Sequence, residues 1–266
     1  MPPRLARRDV QNLVRTLGAS ACPSQQKQDL DTIASLCYAE DLADIVAAGA
    51  IPPLVQLLGP GSPPEVQRLA AWALLKLASD SPDNYVIIAA AGAIPPLVQL
   101  LGLASPPGVQ LSAAGALTNL ANSADNMVTI AAAGAIPRLV QLLGPGSALR
   151  LQQNAAATLR NLAGNADNQV TIAATGVIPL LVQMLGPGSL PQIQQKAAGA
   201  LGNLAGNNDN QVTIASAESI PLLVQLLGPS SPLYVQTDAA AALKHLAYRN
   251  NGNRAAITAE RHGISE

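Results

Sequence analysis

Apolar and polar residues recur along this chain in blocks with the period of an amphipathic helix, and the blocks themselves repeat. The phrase IPPLVQLLG at Ile51 returns at Ile94, as IPRLVQLLG at Ile136, IPLLVQMLG at Ile178 and IPLLVQLLG at Ile220, with a degenerate VQNLVRTLG at Val10. The starts are 41, 43, 42, 42 and 42 residues apart. After Ser62, the stripe Val66, Ala70, Ala73, Leu74 and Leu77 is wholly apolar and is the predicted core face of a helix. The opposite stripe, at i, i+4, i+7, i+11 and i+14, reads Glu65, Leu69, Trp72, Lys76 and Ser79. Its counterparts in later blocks include Asn119, then Arg150, Asn154 and Asn161, then Lys196 and Asn203, then Asp238 and His245.

Punctuation divides each block into three predicted helices. Asp83-Asn84, Asp125-Asn126, Asp167-Asn168 and Asp209-Asn210 are candidate N-caps of a short first helix, which Gly92, Gly134 and Gly176 close as left-handed residues. Proline in the first turn (Pro52, Pro95, Pro137, Pro179, Pro221) opens a second helix. In Ser62-Pro63-Pro64-Glu65, Ser62 is the expected cap of the longest helix, with Glu65 completing a capping box. Glu218 stands where the other blocks carry glycine and is predicted to be left-handed, at a strain of about 1 kcal/mol. The predicted boundaries are 1–50 for an N-terminal capping unit, then 51–93, 94–135, 136–177, 178–219 and 220–266.

Composition narrows what such helices can do. The chain has 266 residues, 49% hydrophobic and 12% charged, with no Phe, so its core is built from Leu, Ile, Val and Ala. A net charge of −1 lacks the basic field that a nucleic-acid or membrane-surface protein needs. No apolar run approaches the ~18 residues of a membrane span. Cys22 and Cys37 are the only cysteines, which reads as two reduced thiols of a cytoplasmic or nuclear protein, Cys37 in the core and Cys22 partly exposed.

The repeated phrase and its glycine and proline punctuation resemble the armadillo repeat family, to which importin-α and β-catenin belong. The resemblance runs over about residues 10–264. It implies an all-α fold, a right-handed α-solenoid with three helices per repeat and a concave groove lined by the third helices. It also implies a protein-interaction scaffold that is not an enzyme, whose groove holds an extended peptide or a partner helix. A transport adaptor resembling importin-α and the armadillo segment of a larger protein such as a ubiquitin ligase are the alternatives.

Asn119, Asn161 and Asn203 stand one repeat apart at the same register. A carboxamide offers a donor and an acceptor, the complement of a peptide group, so three in a row could grip an extended chain by its backbone. They could equally bond a neighbouring helix, or be relics of duplication. In peptide-binding armadillo proteins a tryptophan precedes each such asparagine by four residues. Here only Trp72 remains, ahead of Lys76, and Gly115, Ala157 and Gly199 take its place elsewhere. That weakens any carry-over of nuclear-signal binding. The two glycines are either kept open for something bulky or are drift.

Trp72, Lys76, Arg150 and Lys196 are expected to supply selectivity, with Asp31 and Glu65 at one end of the groove and Asp238 and His245 at the other. The cationic middle favours an acidic partner. His245 and His262 have no metal-binding neighbours in sequence, so no cofactor and no metal are expected. The PGS turns lack the lysine of a phosphate loop. The final residues resemble the opening of another repeat, so the expectation is either a piece of a longer protein or an end covered by self-association.

Overall fold

The computed structural model describes residues 7–19, 22–38 and 42–263, and among them every regular element is a helix. The chain divides into two compact units, Met1–Arg138 and Leu139–Glu266. The first holds α1 (Arg7–Ala19), α2 (Pro23–Tyr38), α3 (Leu42–Ala47), α4 (Ile51–Gln56), α5 (Pro64–Asp80), α6 (Pro82–Ala90), α7 (Ile94–Gln99), α8 (Pro107–Leu120) and α9 (Ala124–Ala132). Helix α10 (Ala135–Leu142) runs through the unit boundary. The second unit continues with α11 (Leu149–Leu162), α12 (Ala166–Ala174), α13 (Ile178–Gln183), α14 (Pro191–Leu204), α15 (Asn208–Ser216), α16 (Ser219–Gln225), α17 (Leu233–Ala247) and α18 (Asn251–Gly263).

Each repeat is therefore two short helices followed by a long one, as the punctuation predicts. The long helices pack side by side, α2, α5 and α8 in the first unit and α11, α14 and α17 in the second. Val66, Ala70, Ala73, Leu74 and Leu77 are all buried, so the apolar stripe is the core face. The residues responsible are small, and Gly202 shows how closely the helices approach. A Cβ there would lie 3.1 Å from the Cα of Ala242 on the next long helix.

The left-handed positions follow the sequence. Gly49, Gly92, Gly134 and Gly176 have φ of 80, 81, 79 and 73°. Glu218 occupies the same conformation, φ 60 and ψ 32°, at the start of α16, as its place in the repeat predicts.

The capping residues differ from expectation. Ser81, Asn165 and Asn207 are the side-chain caps of the first helices, accepting from Asp83 N, Asn168 N and both Asp209 N and Asn210 N. Asp83 and its counterparts lie inside the first turn, where they face the positive end of the helix dipole. Asn84 is buried and turns inward, donating from Nδ2 to Leu77 O at 2.7 Å. Ser62 is not a cap either. The ring of Pro64 bars Pro63 from helical ψ, so Pro63 stays extended (φ −58, ψ 149°) and itself precedes the helix. Glu65 pairs with Arg68 instead of reaching back. Cys22 is exposed, and the Cys37 side chain lies outside the described residues.

Candidate functional site

In the first unit the sequence-selected residues lie on two adjacent long helices. Glu65, Trp72 and Lys76 are on α5 and Asn119 on α8. Glu65 is held by a two-pronged bond from Arg68, Nε to Oε2 at 2.9 Å and Nη2 to Oε1 at 2.6 Å, and that bond lowers its pKa. The Lys76 ammonium sits 5.9 Å from the centroid of the Trp72 ring, a cation–π contact within one helix. Leu69, on the stripe opposite the predicted core face, is buried, and so is Ser112 on α8. Asn119 is partly exposed, and its Nδ2 donates to Leu75 O at 3.2 Å and Ser79 Oγ at 2.7 Å.

The second unit repeats that bond. Arg150, Asn154 and Asn161 are on α11, Lys196 and Asn203 on α14, and Asp238 and His245 on α17. Asn203 Nδ2 donates to Arg160 O at 2.8 Å, and His245 Nδ1 lies 2.7 Å from Gly202 O. Arg160 and Gly202 lie in the last turns of α11 and α14, where carbonyls have no partner within the helix, and a side chain from the next helix supplies one. His245 thus does the work of the asparagine one repeat earlier, with its proton on Nδ1 because a carbonyl can only accept. At Asn119, Asn203 and His245 the ladder is a fastener between long helices. What they leave outward is an acceptor, Oδ1 of asparagine or Nε2 of a neutral His245.

Other repeated polar residues are spent internally too. Gln67, Gln110, Gln152, Gln194 and Gln236 donate to carbonyls at the end of the preceding short helix. Asn126 donates both to Leu120 O and to Tyr85 O of the previous repeat, and Asn210 does the same with Leu204 O and Gln169 O.

The most specific arrangement centres on Arg160, which the sequence reading passed over. Its side chain lies across α14 at Gly199, where a Cβ would fall 2.5 Å from Nε and 2.8 Å from Cδ and Cζ. Beyond Gly199 it grips Asp238 on α17, Nη2 to Oδ1 at 2.9 Å and Nη1 to Oδ2 at 3.3 Å. Gly199 is therefore vacant for this chain's own arginine, and Asp238 is no free groove anion. The available signal was a pair of coincident departures, an arginine where other repeats carry Leu75, Thr118 and Gly202 and a glycine one repeat later. Lys196 stands on the same helix as Gly199. Burial lowers its pKa, the Arg160 charge adds to that, and Asp238 opposes it. Beside Asn203 a hollow of about 220 Å³ is bordered by Gln169, Gly206, His245 and the exposed Tyr248. Arg150 is exposed at the start of α11.

Among the described residues no cluster of His, Cys, Asp and Glu could hold a metal ion. No helix there is long and apolar enough to cross a membrane. Cys22 immediately precedes α2. Its thiol pKa is lowered, first by a hydrogen bond with Ser24 Oγ at 2.9 Å and then by backbone N–H groups.

Three-helix repeats with long helices stacked in register define an α-solenoid. The chain matches the family described as Armadillo/beta-catenin-like repeat over residues 40–79, 81–122, 123–164, 165–206 and 207–248. It belongs to that family. The family's units begin at the first short helix, whereas the units read from the phrase IPPLVQLLG begin at the second.

Several of the similar solved structures are designed or engineered proteins. One engineered protein is 32% identical over 94% of this chain and 61% of its own, with a TM-score of 0.84. A designed armadillo repeat protein is 28% identical over 89% and 99%, TM-score 0.81. Another, solved in complex with the peptide (KR)4, is 29% identical over 90% and 99%, TM-score 0.78. No curated protein matches the chain in sequence. Repeats and neighbours together are those of a protein-binding repeat scaffold.

Proposed function

We propose that this chain is a non-catalytic scaffold that holds an extended polypeptide along the face of its long helices. The observation that carries this is the state of the ladder. With Nδ2 of Asn119 and Asn203 committed to the neighbouring helix, each carbonyl oxygen is fixed in direction at the same repeat register. An extended chain presents N–H groups at regular intervals, and fixed acceptors can take them without ordering any side chain first. Asn161 belongs to the same series by sequence. Basic nuclear-signal peptides are poor candidates for the second unit, because Arg160 already covers Gly199 and neutralises Asp238. A cytoplasmic or nuclear setting accords with this role.

The test is capture of binding partners, identified by mass spectrometry, with three proteins side by side. The first is the intact chain. In the second, Asn119, Asn161 and Asn203 are each changed to His, which keeps the interhelix bond as His245 does but moves the outward acceptor. The third changes the exposed Val86, Val128, Val170 and Val212 of the first helices to Ser. Circular dichroism verifies the fold of each. Partners lost only from the asparagine variant support the proposal. Partners lost only from the valine variant would show that the first helices are the working surface and would refute it.

A further inference from the structure

The long helices of the second unit present Asn154, Lys196 and Asp238 at one repeat register, and the Arg160 side chain reaches past Gly199 to Asp238. Charge on this patch does not balance. Both oxygens of Asp238 are taken by the Arg160 guanidinium. Lys196 is partly buried on α14 and, among the described residues, its ammonium makes no hydrogen bond and no ion pair. An ammonium withdrawn from water without a partner is unfavourable, and lysine's flexible stem ordinarily lets it find one. Here the nearby carboxylate is unavailable. The bidentate geometry that arginine achieves is one that lysine cannot match. One positive charge therefore stands unmatched beside Asn203, seven residues along the same helix.

We propose that Lys196, backed by Arg160, receives an acidic side chain of the polypeptide held on this face. This rests on the peptide-holding reading above and specifies its partner. The ligand group is an anionic oxygen cluster, either an Asp or Glu carboxylate or a phosphorylated Ser. Gly199 and Asp238 are positioning residues, because they fix Arg160 alongside the lysine without reaching the ligand. The charge preference is opposite to that of the designed relative solved with (KR)4.

The test is fluorescence anisotropy of the whole chain with four labelled peptides of equal length. They alternate glutamate with serine, phosphoserine with alanine, glutamine with serine, and lysine with arginine. The glutamate peptide is expected to bind about tenfold more tightly than the glutamine one, the gain of one charge-assisted hydrogen bond. Added salt should erode that difference. Lys196→Gln should abolish it, Lys196→Arg should retain it, and neither threatens the fold because Lys196 has no partner to lose. The ratio of phosphoserine to glutamate affinity tells which source of charge fits better.

Equal binding of the glutamate and glutamine peptides, or a preference that survives Lys196→Gln, would overturn the acidic-receptor proposal. If the glutamine peptide still binds and Asn203→His weakens it, the peptide-holding reading stands without the charge preference. If none of the four binds, both fail.

Discussion

Gly199→Ala tests the Arg160 strut through a change of sign. Alanine is the better helix former by about 1 kcal/mol, and position 199 lies mid-helix in α14, so the substitution on its own is stabilising. The new methyl, however, would stand 2.5 Å from Arg160 Nε, and the arginine must leave. It then gives up two bonds to a carboxylate on a residue only 9% exposed. Side-chain exposures of 30% for Arg160 and 12% for Asp238 place the pair between two regimes. Exposed pairs are worth at most ~1 kcal/mol, and breaking buried ones costs ~3–5 kcal/mol. A loss of about 2 kcal/mol follows, and the net effect of Gly199→Ala is a destabilisation of about 1 kcal/mol. In an Arg160→Ala background the obstruction is gone, and the same substitution should stabilise by about 1 kcal/mol. Urea unfolding of the four proteins in this double-mutant cycle gives the coupling, expected near 2 kcal/mol. Stabilisation by Gly199→Ala in both backgrounds would refute the strut.

Two further expectations concern the repeat itself. Asn126→Ala should cost about 2–3 kcal/mol, because it strands carbonyls on two helices of the preceding repeat, whereas Asn119→Ala at the half-open ladder should cost about 1 kcal/mol. Equal costs in urea unfolding would contradict the internal role assigned to Asn126. Glu218→Gly should stabilise by about 0.5–1 kcal/mol by relieving the left-handed backbone, raising the melting temperature by about 2 °C, and a lower melting temperature would show that the side chain matters more than the strain.

The helical solenoid was legible because its signals are local. Leucine spacing, the glycine after each first helix and the proline opening each second one lie within a few residues of what they determine. Glu218 shows how far such reasoning reaches, since its conformation follows from its place in the repeat alone. The caps were misplaced where two local rules compete, as at Pro63-Pro64, where ring sterics outrank the preference of Ser62 for a cap. The site was legible only in outline. The asparagine ladder was visible as a pattern, but its partners lie 40 to 44 residues away, and a one-dimensional register does not show which half of each amide is spent. The Arg160–Asp238 pair spans 78 residues and is visible only as two departures from consensus.

Asn126 and Asn210 carry a consequence for how such a chain lengthens and shortens. Each reaches from the first helix of its own repeat to the first and the long helix of the repeat before it, using backbone carbonyls that any sequence provides. A copied repeat thus arrives with its own coupling and makes no demand on the side chains of its new neighbour. Whole repeats are interchangeable parts, while insertion of a single residue within one would pull the asparagine off both carbonyls. The bond from Arg160 to Asp238 breaks that interchangeability, because it fixes the order of three particular repeats and would be severed by shuffling any of them.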